Sequence, residues 1–155
     1  MKNTKLIAKN KKARFDYEII KTMEAGIVLT GNEIKSIRLG HVNLKDSFAK
    51  INFNNEVILS NLHITNYKHS HIVSIRDERS PRKLLLHKRE ILKLKHEIET
   101  NRYTLVPLSL YFKGSLVKVE LALCKGKKVH DKRQAIKERD VKREMDREIK
   151  NRIKI

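Results

Sequence analysis

The run 116–124, Leu-Val-Lys-Val-Glu-Leu-Ala-Leu-Cys, constrains this chain more than any other segment. In it Val117, Val119, Leu121 and Leu123 alternate with Lys118 and Glu120. A period of two puts the apolar side chains on one face and the charged ones on the other, as in a half-buried β-strand. Residues 103–112 form a second strand-like run, and Lys113-Gly114 between the two supplies a tight turn, so the pair predicts a hairpin. Pro107 has no N–H to give to a ladder, and an edge or a bulge is expected there.

A second hairpin is predicted from residues 48–53 and 56–64, which flank Asn54-Asn55, a pair able to enter positive φ. Strand signals also begin at 15–19, resume at 27–29, and recur at 82–87. Thr30-Gly31-Asn32-Glu33 has the form of a capping box. It predicts a short helix with Ile34 and Ile37 on one face and Gly40 at its stop. Residues 88–100 predict another helix, with Ile91, Leu94 and Ile98 on one side. At 155 residues the chain suits one domain with one core. Short strands with two to three short helices make a mainly β, α+β domain. The expected architecture is an OB-type antiparallel barrel of five or six strands, partly open, with a polar strand face available to RNA. No internal repeat is visible.

Charge divides the chain. The whole carries 36 Lys+Arg against 18 Asp+Glu, a net +18. Residues 1–14 hold six basic residues and no acid, and residues 125–155 hold thirteen basic and six acidic. Thirteen of the eighteen excess charges therefore lie at the two ends. A merely solubilising surface spreads charge more evenly; this distribution favours a polyanionic partner. The expected organisation is a mobile basic arm over 1–14, a barrel over 15–125 and a basic tail over 126–155.

The tail has few apolar residues, but Val141, Met145, Ile149 and Ile153 recur every fourth position, a thin stripe on a helix. Pairs such as Glu138–Lys142 and Asp146–Lys150 add only about 0.3–0.5 kcal/mol each. That is short of an ordering cost of roughly 1–2 kcal/mol per residue. The tail is expected to be disordered alone and helical when docked. A permanently solvated helix is the alternative; the spacing lacks the three–four alternation of a coiled coil.

For chemistry the chain offers little. Cys124 is the only cysteine, so neither a disulfide nor a cysteine-based zinc site is expected. No phosphate loop, nucleophile elbow or paired-histidine metalloprotease motif occurs. His69-Ser70-His71 reads as a polar connector, and Asp77-Glu78, between Arg76 and Arg79, as a solvated loop. No cofactor, metal site or enzyme activity is expected, with a small nuclease as the rival from another class. With no signal-like or membrane-spanning run, a cytoplasmic protein is expected, monomeric and free of membrane contact. RNA binding has positive support. Lys9-Asn10-Lys11-Lys12 sets an amide among cations, and Arg82-Lys83 place charge beside Leu84-Leu85-Leu86. Gly126-Lys127-Lys128 forms a joint where the last strand meets the tail. With four Tyr, four Phe and no Trp, a stacking platform for long single strands is not expected, and recognition of a folded RNA by shape fits better.

Several segments together resemble the SsrA-binding protein (small protein B, SmpB) family of bacterial trans-translation. They are Asn10-Lys11-Lys12-Ala13, Asp16-Tyr17, Glu24-Ala25-Gly26, Gly31-x-Glu33-x-Lys35-Ser36-x-Arg38 and Arg82 through Lys88. Leu108-x-Leu110-Tyr111 and Gly126-Lys127-Lys128-x-His130-Asp131-Lys132-Arg133 complete the set. The resemblance runs from about residue 8 to the end. It implies an OB-type barrel that binds the tRNA-like domain of transfer-messenger RNA and brings it to stalled ribosomes for tagging and rescue. There the protein stands in for a missing anticodon arm, and its tail enters the decoding centre and vacant messenger channel of the small subunit. RNA contacts are implied at Asn10, Glu24, Leu85, His87 and Lys118, with Lys127 and Lys128 nearby. Lys11, Lys12, Arg82 and Lys83 join them as basic candidates. Ribosomal action is implied for His130, Asp131, Lys132 and Arg133, and along the tail for Ile136, Lys137, Arg139, Val141, Lys142 and Arg143. The residues alone leave alternatives: Glu24 as a surface ion pair, Leu85 as core, His130 as a spacer. The runner-up function is a generic basic ribosome-associated or initiation-type protein. Val141 stands where some relatives carry an aromatic, which bears on how tightly the tail docks. Asn32 stands where Thr or Trp is common.

Overall fold

The computed structural model describes residues 4–67, 77–126, 139, 142–145 and 147. In chain order the elements are β1 (Thr4–Lys9), α1 (Ala13–Asp16), β2 (Tyr17–Ile27), α2 (Gly31–Arg38), β3 (Val42–Asn43) and β4 (Phe48–Ile51). They continue with β5 (Val57–Ser60), β6 (His63–Ile64), β7 (Arg82–Leu85), α3 (Lys88–Asn101), β8 (Thr104–Lys113) and β9 (Leu116–Gly126). The alternation at 116–124 became β9: Val117, Val119, Leu121 and Leu123 point into the core and Lys118 and Glu120 point away. The β8–β9 turn is centred one residue later than expected. Lys113 pairs with Leu116, leaving Gly114-Ser115 as the two-residue loop, with Gly114 at φ +63°. Positive φ at this first position alone is what a II′-like turn requires.

Strand order is β1-β8-β4-β5-β7-β2-β9, and a further antiparallel pairing of β8 with β9 closes the sheet on itself. Among the described residues six strands, β8, β4, β5, β7, β2 and β9, form a closed ring; the OB-type architecture agrees with the expectation, and the barrel is closed rather than partly open. Because β9 runs along the whole of one edge of β8, β4 and β1 share the other. β4 meets β8 at Leu105, and β1 pairs with residues 109–113. The register shift between Pro107 and Ser109 falls where one partner gives way to the other. The bulge expected from Pro107 is therefore the place where the barrel wall changes neighbours.

Residues 4–9 correct the sequence reading. The N-terminal segment, expected as a mobile arm over 1–14, is from Thr4 to Lys9 a seventh strand, paired with β8 alongside the six-stranded ring. Its ladder shifts register between Leu6 and Ala8. A bulge of this kind erases the period of two on which a sequence pattern depends.

Inside the barrel Leu59, Leu62, Leu84, Leu105, Leu110, Val119, Leu121 and Leu123 form one cluster, with Ile37 of α2 and Leu94 of α3 entering from the helices. Each buried aliphatic side chain of this size contributes about 1.5–3 kcal/mol. A smaller cluster lies outside the wall, where α1 brings Ala13 against Val106, Leu108, Ala122 and Cys124. The α2 capping box formed as read: Thr30 Oγ1 accepts from Glu33 N at 3.2 Å, and Glu33 Oε1 accepts from Thr30 N at 3.0 Å. Gly40, at φ +78°, ends that helix with its N–H on Ile37 O at 2.9 Å. In the second hairpin Asn55 adopts φ 58°. Asn61, at φ 65°, breaks the expected 56–64 strand into β5 and β6, and β6 pairs with β3 instead. Among the described residues no helix is long and apolar enough to cross a membrane.

Candidate nucleic-acid interface

Register determines which exposed side chains meet on the outer wall. Leu85 on β7 opposes Gly26 on β2, Gly26 opposes Lys118 on β9, Lys118 opposes Tyr111 on β8, and Tyr111 opposes Leu6 on β1. Antiparallel partners share a face, so these five residues make one row across five strands. The neighbouring row runs Glu24, Glu120, Ser109, Lys9. Leu85 and Leu6 are 51% and 52% exposed, so Leu85 is not core. Gly26 makes room for it: a Cβ there would stand 3.2 Å from the Leu85 Cβ. The row thus has a cation and a phenol at its centre and uncovered leucines toward its ends.

Glu24 is the acid of this surface. Its carboxylate accepts from the Tyr111 hydroxyl, and Lys113 Nζ lies 3.2 Å from Oε1 and 3.4 Å from Oε2. The Tyr111 hydrogen bond, with Lys113 and Lys118 adding to it, holds the Glu24 carboxyl below its usual range against the opposing effect of desolvation. Partial burial, then the bond to Glu24, pushes the Tyr111 phenol well above its usual range. Near neutral pH the carboxylate is therefore an acceptor and the phenol a donor. Beside them Ser109 Oγ donates to Glu120 Oε2 at 3.0 Å, tying down the second acid of the face.

The other sequence candidates divide. His87 is exposed, two residues beyond Leu85, and begins α3 with no side-chain cap bond. Lys83 shares the outer face of β7 with Leu85 and pairs with Glu56 at 3.1 Å. Lys11 and Lys12 are exposed in the turn after β1. Asn10, just before them, has a fold-building part: its Nδ2 donates to Pro107 O at 3.1 Å and its N–H to Leu108 O at 2.8 Å. It pins the bulge.

Arg82 is a correction. Expected to offer charge to RNA, its side chain is instead 1% exposed and paired with Glu33 of α2. Nε donates to Glu33 Oε2 at 2.6 Å, Nη1 to Leu62 O, and Nη2 to Glu78 O at 3.0 Å. Glu33 thereby caps α2 with one oxygen and pairs with β7 through the other. Glu78, expected in a solvated loop, accepts from Asn66 N at 2.6 Å and His63 Nε2 at 3.2 Å. Both side chains build the body. Among the described residues no cluster of His, Cys, Asp and Glu is arranged to hold a metal. Lys127, Lys128, His130, Asp131, Lys132, Arg133, Ile136, Lys137 and Val141 lie outside the described residues, as do His69 and His71. Arg139, Lys142 and Arg143 are described as helical and exposed.

Sequence reasoning had not singled out Tyr111, Lys113 or Gly26 as site residues. The signal lay in the turn: with the loop at Gly114-Ser115, register alone sets Tyr111 opposite Lys118.

A family model described as SmpB protein matches residues 7–151. The chain belongs to the SmpB family. An SsrA-binding protein of Caldanaerobacter subterraneus subsp. tengcongensis is 54% identical over 146 residues, covering 94% of this chain and 91% of that one. One from Alkaliphilus oremlandii is 52% identical over 153 residues, covering 99% and 97%. Among solved structures, an SmpB-family match comes from work described as "tmRNA-SmpB: a journey to the center of the bacterial ribosome". It has a TM-score of 0.66 at 43% identity, covering 83% of this chain and 93% of the other.

Proposed function

We propose that this SmpB-family chain is a non-enzymatic RNA-binding protein. In this reading it holds the tRNA-like domain of transfer-messenger RNA on its barrel and delivers it to stalled ribosomes for trans-translation. The observation that carries this reading is the outer row of Leu85, Gly26, Lys118 and Tyr111 with the ionised Glu24 beside it. Lysines attract phosphate without regard to sequence, whereas a carboxylate takes only N–H or O–H donors, which in RNA belong to bases and ribose. A face that combines both suits a folded RNA held in one orientation. The SsrA-binding relatives and the tmRNA–SmpB structure support the same choice of partner. The basic tail over 126–155 is assigned to the small-subunit decoding centre and messenger channel, and the cytoplasm is where such a partner is met.

Binding of the isolated tRNA-like fragment at two salt concentrations tests the reading, with bulk ribosomal RNA as competitor. The fragment is expected to bind preferentially. Lys118→Ala is expected to weaken binding and to reduce the slope of log K against log salt by about one, with the melting temperature unchanged. Equal affinity for ribosomal RNA would instead indicate a generic ribosome-associated protein. A large fall in melting temperature would make Lys118 structural.

A further inference from the structure

We propose that Tyr111 is a positioning residue of the RNA face: with Lys113 it fixes the Glu24 carboxylate over β9 as an oriented acceptor for a base or ribose donor. The inference rests on the assignment of Glu24 to the RNA contact and adds the device that makes the contact specific.

A glutamate 39% exposed on a cationic surface has no reason to hold one geometry. Left alone, it samples many rotamers or turns toward the lysine that comes nearest, and either outcome hides it from an incoming RNA. Here two donors from one strand, two positions apart, hold it instead. Tyr111 is the better suited of the two. Its hydroxyl carries no charge, so it orients the carboxylate without neutralising it. It is rigid, because the phenol has two torsions and neighbouring Leu110 is fully buried in the barrel. Its hydroxyl also remains protonated, so it can only donate to the ionised Glu24. A carboxylate offers about four lone-pair directions. Those not taken by Tyr111 and Lys113 are available to RNA, beside Lys118, whose charge attracts the phosphate of the same strand. A phosphate itself is repelled by Glu24. The fixed acid therefore sets the order of backbone and base on this wall.

The test is a double-mutant cycle of Tyr111→Phe and Glu24→Gln, read by affinity for the tRNA-like fragment and by carboxyl-carbon NMR titration of Glu24. Tyr111→Phe removes one oxygen from a partly exposed ring. It is expected to raise the dissociation constant about tenfold and to move the Glu24 titration up toward the ordinary carboxylate range. Adding it to Glu24→Gln is expected to cost little more than Glu24→Gln alone. If the titration moves while affinity stays at the wild-type value, or if the two losses simply add, the positioning role is overturned and the contact stands. If Glu24→Gln binds as tightly as wild type, the contact itself is wrong. Should Tyr111→Phe lower the melting temperature, the cycle still reports the coupling, since a stability effect common to both arms cancels.

Discussion

Arg82 and Lys83 are adjacent in sequence and opposite in fate. A strand alternates its side chains, so when Lys83 faces out with Leu85, Arg82 must face in with Leu84. An inward arginine is tolerated only with its charge matched and its donors satisfied, and Glu33, Leu62 O and Glu78 O provide this. Arg82→Met is therefore expected to destabilise the barrel by about 3–5 kcal/mol, because Glu33 stays buried without its counter-charge. Urea denaturation checks this; an unchanged midpoint with weakened RNA affinity would return Arg82 to the binding face. Cys124 follows the same logic of place. Burial pushes its thiol up to about 11, so it stays protonated at neutral pH and acts as a small apolar residue under α1. Gly26 matters by what it lacks, since a methyl there crowds Leu85, the exposed apolar residue of the row.

Among the elements, β1 separates what the fold needs from what the charge suggests. Its lysines look like an arm built for RNA, but its backbone pairs with residues 109–113 of β8, and Ile7 and Ala8 pack on the core. The strand also presents Lys9 beside Ser109 and leads into Asn10, which pins the Pro107 bulge. Deleting residues 1–9 is expected to lower the melting temperature by several degrees, because it uncovers the edge of β8 under Tyr111 and Lys113. RNA affinity is expected to fall with it. A truncated chain that melts like the full-length protein and loses only affinity would restore the mobile arm. α2 shows the opposite case: its start and stop were legible, since capping and turn chemistry act over four or five residues, whereas its buried face is Glu33, Ser36 and Ile37 rather than Ile34 with Ile37.

For the molecule as a whole, barrel and tail are assigned separate work. The row from Leu85 to Tyr111 lies wholly within the barrel, whereas the tail carries a net +7 over 125–155 and a thin apolar stripe. Deleting 131–155 is therefore expected to leave affinity for the tRNA-like fragment within about twofold, since the Leu85–Tyr111 row remains. Tagging of non-stop products in a reconstituted translation system is expected to be lost. Equal loss of binding and tagging would refute the division.

Much of this was written along the chain. The alternation of 116–124, the Asn54-Asn55 turn, the Thr30 capping box and the Pro107 interruption each depend on residues a few positions apart. The family segments named the RNA partner and pointed to Glu24, Leu85, His87 and Lys118. Tertiary structure decided the rest. Only the pairing of β7 with β2 and of β2 with β9 brought Leu85 and Gly26 into line with Lys118 and Tyr111 of the β8–β9 hairpin, joined by register rather than by spacing. Only burial turned Arg82 from a basic candidate into a structural cation, and only pairing made residues 4–9 a strand. The physical reason is common to all three. A single sequence reports periodicity and local hydrogen bonding, but which face is wet, and which distant side chain supplies a counter-charge, is set when the barrel closes.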